Sequence, residues 1–159
     1  MKLWAKLYAM IWLVFFDFLL AMTPDRWHPG WVAGAHVVLG LAVLALAFVN
    51  FSQLRGTTAP GRIKRTARST RQLVVVMAVL GPLLAFHVGE RLAVFGVTLA
   101  DVLLLAHVVV AFAILTQAAA TAIAFDMWEE KEWMAETPAG HVPLAPLPRA
   151  GATSRRGSL

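Results

Sequence analysis

The chemistry open to this chain lies in two histidines set in strongly apolar stretches. One stands in Ala35-His36-Val37-Val38-Leu39-Gly40-Leu41-Ala42-Val43-Leu44, the other in Ala106-His107-Val108-Val109-Val110-Ala111-Phe112-Ala113-Ile114-Leu115. An imidazole in an apolar helix is costly unless it has a partner. Two imidazoles in matching helical frames can share one, because imidazole ligates iron from either face of a porphyrin. Gly40 lies four residues after His36 and Ala111 four after His107, so a small residue shares each histidine's helix face and leaves room for a flat group. The expected metal ligands are therefore His36 and His107, with haem b between them. The chain has no cysteine. That excludes thioether-attached c-type haem, thiolate iron–sulfur clusters and a disulfide framework.

Other polar groups at similar depth widen the choice. His87 falls near the outer end of the third apolar run. It can replace a ligand, hydrogen-bond a ligand or propionate, or exchange a proton with a quinol. Three histidines at one level also suit copper or zinc, so membrane metal binding or transport is an alternative, as is a haem-free accessory subunit whose histidines only pack. Asp17, between Phe16 and Phe18, is a functional candidate by its position in an apolar helix. It can accept a proton or the hydrogen of a ligand's second ring nitrogen, pair with Arg91, or reach the surface. Arg26 and Arg91 are placed to meet haem propionates at the outer rim. Glu90 and Arg91 read as a surface pair. Asn50, Gln117 and Thr121 read as hydrogen-bonding glue between helices near the inner side. His28 is expected to be solvated, and His141, in the tail, to have no part in the site.

The elements that position these groups follow from composition. The chain has 159 residues, 59% of them hydrophobic and 14% charged, against about 45–50% and about 25% in soluble domains. Helices are expected over about 7–22, 30–51, 72–92 and 99–125, making an all-α integral membrane four-helix bundle over residues 1–136. Gly81-Pro82 should kink the third helix, and Thr98 with Asp101 should cap the fourth. The proline-rich stretch 137–159 is expected to be a disordered cytoplasmic tail. Arg55, Arg62, Lys64, Arg65, Arg68 and Arg71 crowd the connection between the second and third runs. That pattern implies a multi-pass membrane protein with both termini cytoplasmic. The net charge of +5 then meets lipid head groups, and no nucleic-acid partner is expected. When His36 is slid onto His107, Ala35, Val37, Val38, Ala42, Leu44 and Ala47 fall on Ala106, Val108, Val109, Ala113, Leu115 and Ala118. A duplicated helical hairpin would produce that register.

The A-H-V-V-x-G/A-x-A-x-L stretches at 35–44 and 106–115 resemble the haem-bearing helices of bacterial membrane cytochromes b. They are also similar to one half of a haem A synthase-type protein, whose paired bundles carry a histidine on the second and fourth helices. The resemblance spans about Leu7 to Phe125. It implies that His36 and His107 are axial ligands to a low-spin haem towards the outer face. The single bundle and the missing outer-loop cysteines depart from the synthase pattern and argue against haem A synthesis. The implied role is an electron relay between the quinone pool and a partner redox subunit, rather than a stand-alone catalyst.

Overall fold

The computed structural model describes residues 2–23 and 30–136. Among them are four helices, α1 (Leu3–Ala21), α2 (Trp31–Arg55), α3 (Gly61–Ala85) and α4 (Leu99–Glu136), and a short hairpin, β1 (Ala93–Val94) with β2 (Val97–Thr98). Helix α1 packs on α2 and α4, and α3 also packs on α2 and α4. The histidine helices α2 and α4 thus share both neighbours. Three helices, α1, α2 and α4, are long and apolar enough to cross a membrane. Large apolar side chains such as Trp12, Phe16, Val38, Leu41, Val79, Leu105 and Val109 point outward along the helices. Lipid suits such a surface and water does not.

Helix α3 departs from the sequence reading at both ends. It begins at Gly61, after Pro60, so the basic stretch expected to be a loop is helical. Arginine and lysine are good helix formers, and the turn signals end at Pro60-Gly61. The loop itself is short and tied down. Thr57 Oγ1 donates to the Leu54 carbonyl at 2.8 Å, and Lys64 Nζ donates to the Thr57 carbonyl at 2.6 Å. With Arg62, Lys64, Arg65, Arg68 and Arg71 inside it, α3 is not among the helices long and apolar enough to span.

At its other end α3 runs through Pro82 and stops at Ala85, short of the expected Leu92. His87 adopts φ +56°. Its N–H donates to the Leu84 carbonyl at 3.0 Å, and the Val88 N–H donates to the Leu83 carbonyl at 3.0 Å. This pair of bonds is the Schellman helix stop, with histidine where glycine is usual. The hairpin that follows turns through Phe95 (φ +54°) and Gly96 (φ +81°), both left-handed as a two-residue type I′ turn requires. Gly89 is needed twice over: its φ is +87°, and a Cβ there would lie 2.7 Å from Leu99 Cβ.

Helix α4 opens with the expected reciprocal cap. The Asp101 N–H donates to Thr98 Oγ1 at 3.1 Å, and the Thr98 N–H donates to Asp101 Oδ2 at 2.9 Å. Its 38 residues are about 57 Å long, nearly twice a hydrocarbon core of about 30 Å. The end beyond Phe125, with Asp126, Glu129, Glu130 and Glu132, is charged where the apolar run stops.

The core lies in two clusters. One gathers Leu7, Phe51, Leu54, Ala59, Ile63, Ala67, Ala122 and Phe125 around the α2–α3 connection. The other stacks Met10, Val14, Val43, Ala47, Val74, Ile114 and Ala118 beside it. Beyond Val74 on α3, and before Ile114 on α4, no described hydrophobic residue is buried; on α2 the buried residue nearest the N-terminus is Val32. The helices pack densely at one end and open at the other, and His36 and His107 lie at the open end.

Candidate functional site

His36 is in the second turn of α2 and His107 in the third turn of α4. Their rings approach each other, with centroids 6.2 Å apart and planes inclined by 55°. Helix α1 holds His36 and packs on the helix that carries His107. Asp17 Oδ1 accepts a hydrogen bond from His36 Nδ1 at 2.8 Å. One residue on, Phe18 packs on Phe112 of α4 with ring centroids 4.8 Å apart. An ionised carboxylate only accepts, so this bond puts the His36 proton on Nδ1 and leaves Nε2 a free lone pair when the ring is neutral. The Asp17 and His36 side chains are 16% and 35% exposed, so the pair is screened from most of its surroundings. His107 Nδ1 is buried and has no hydrogen-bond partner among the described residues. A buried orphan nitrogen costs roughly 1–3 kcal/mol, which only a group reaching that nitrogen would offset.

Glycine flanks each histidine. A Cβ on Gly40 would meet Asp17 Oδ2 at 4.0 Å, and one on Gly81 would meet His107 Cε1 at 3.9 Å. Gly40 therefore lies against the carboxylate that holds His36. Gly81, expected from sequence to matter only for a kink with Pro82, leaves the side of His107 open. Ala111 is half-buried one turn below His107.

The remaining candidates fall elsewhere. His87 is 71% exposed in the turn that ends α3, and its Nδ1 lies 2.6 Å from Glu90 Oε1. Glu90 thus faces His87 and not Arg91, and Asp17 faces His36 and not Arg91. Arg91 is exposed between α3 and β1 and makes no ion pair among the described residues. Arg26 and His28 lie outside the described residues, as does His141. No group of three or more His, Cys, Asp or Glu side chains among the described residues is arranged to hold a metal ion, so the three-histidine copper or zinc arrangement is not formed there.

Asn50 and Gln117 tie neighbouring helices together, whereas Thr121 bonds back within α4. Asn50 Nδ2 donates to the Lys6 carbonyl at 3.3 Å, and Thr70 Oγ1 lies 3.5 Å from Gln117 Oε1. Thr121 turns back onto the Gln117 carbonyl at 2.7 Å. Comparison of the chain with protein-family models, curated proteins and solved structures finds no match.

Proposed function

We propose that this chain is a membrane four-helix bundle that holds a b-type haem between His36 and His107 and relays electrons between the quinone pool and a partner subunit. The observation that carries the reading is the 6.2 Å separation of the two imidazole centroids. With metal–imidazole bonds of about 2 Å, as for zinc, rings at that separation would be near enough for His36 and His107 to hold one metal ion between them. The unpartnered nitrogen of His107 and the sparse packing around the pair fit a group that completes the open end. The chain's other polar side chains make the alternative of a three-histidine copper or zinc centre less favourable, since His87 is engaged with Glu90.

Haem bound there would supply a one-electron couple inside the bilayer. The chain's own residues do the rest. Asp17 holds the His36 ring in one orientation and keeps its proton on Nδ1. Gly40 and Gly81 keep side chains away from the approach to both rings. Arg91, unpaired in the exposed connection, is available to a carboxylate. Lipid and the apolar helix faces exclude water from the centre. The basic start of α3 favours the cytoplasmic side, which puts both histidines towards the outer leaflet and both termini inside.

The test is the visible difference spectrum, reduced minus oxidised, of detergent-purified full-length protein, with pyridine haemochrome and elemental analysis. One haem b per chain supports the reading. Stoichiometric copper or zinc without haem selects the metal alternative, and neither haem nor metal selects the accessory subunit.

A further inference from the structure

Three arginines converge on one phenylalanine where α2 and α3 meet. Phe51 is buried. The Arg71 guanidinium carbon lies 4.3 Å from its ring centroid and 5.4 Å from that of Phe48. The guanidinium carbons of Arg55 and Arg68 lie 5.8 and 5.9 Å from the Phe51 centroid. Stacking on the ring fixes where these groups sit. It does not relieve their mutual repulsion. Among the described residues the ion pairs are His36 with Asp17 and His87 with Glu90, so none of the three arginines is neutralised by a carboxylate. Asp126, Glu129 and Glu130, in the charged end of α4, instead line a recess with Lys2 and Trp4.

Depth identifies the counter-ion. Arg55 ends α2, and Phe51 and Phe48 lie one and two turns inside it, roughly 6–10 Å. In a bilayer that is the border between head groups and acyl chains, where arginine stems lie along apolar surface and their heads reach outward. Guanidinium forks match phosphate oxygens two at a time. We propose that Arg55, Arg68 and Arg71, arrayed about Phe51, form a discrete site for the phosphate of an anionic phospholipid in the adjoining leaflet. The site goes beyond diffuse charge screening, and it stands independently of the haem reading.

The experiment compares lipid retention by full-length protein extracted from vesicles of phosphatidylcholine with phosphatidylglycerol, read by native mass spectrometry. Wild type is expected to keep phosphatidylglycerol in preference to phosphatidylcholine. The pair Arg68→Gln and Arg71→Gln should lower that retention at least about tenfold. The charge-matched pair Arg62→Gln and Arg65→Gln, exposed on the same helix, should keep it within about twofold. Equal losses in the two pairs would overturn the discrete site in favour of general screening. Equal displacement of the lipid by inorganic phosphate would overturn the lipid in favour of a soluble anion. Should the glutamine pair not fold, Arg68→Lys with Arg71→Lys keeps the charge but lacks the fork. Several-fold weaker retention supports the proposal, and unchanged retention contradicts it.

Discussion

Asp17 and His36 set the terms at the residue scale. A carboxylate and an imidazole 2.8 Å apart in an apolar segment stabilise each other, and either alone would be expensive there. If Asp17 orients a haem ligand, Asp17→Leu should weaken haem retention by about 10- to 100-fold, the usual effect of losing a ligand's hydrogen-bond partner. Titration of apo-protein with haem reads that change, and unaltered affinity would mean the pair only holds α1 to α2. His87 is the contrasting case. Its role here is backbone geometry, since it ends α3 at φ +56°. His87→Gly should stabilise the chain by up to about 1 kcal/mol, because glycine adopts that φ without strain and the exposed pair with Glu90 contributes little. The same variant should leave any haem spectrum unchanged. The His36–His107 pair was legible in the sequence because imidazole is rare in apolar helices. Asp17's choice of His36 over Arg91 was not, since it depends on how α1 is rotated against α2.

At the scale of elements, the connection from α3 to α4 is the tightest piece of construction. Gly89 combines a left-handed backbone with contact against Leu99. Gly89→Ala should lower stability by about 1–3 kcal/mol, measured by thermal unfolding in detergent, whereas Gly96→Ala, with open space around it, should show only the cost of its φ. The apolar runs of α1, α2 and α4 and the Thr98–Asp101 cap could be read directly from residue order. The limits of α3 could not. Its start is basic and amphipathic, so charge suggested a loop where helix propensity prevailed. Its end is encoded by a histidine in a position that glycine usually marks.

Across the whole molecule, packing is uneven in a way that matters for function. Small and branched residues interlock around Phe51 and Ala118, while the end bearing His36, His107, Gly40 and Gly81 stays loosely covered. Hydropathy made it legible that helices here are long and apolar enough to cross a membrane, because that depends on composition. The density gradient was hidden, because it depends on which faces meet. Electron paramagnetic resonance of the oxidised full-length protein, alongside His36→Ala and His107→Ala, examines the shared-ligand account most directly. Wild type should show low-spin haem with two imidazole ligands, and each single replacement should convert retained haem to high spin or lose it, with added imidazole restoring the low-spin signal of any retained haem. A haem-free wild type, or a low-spin signal untouched by either replacement, would contradict it.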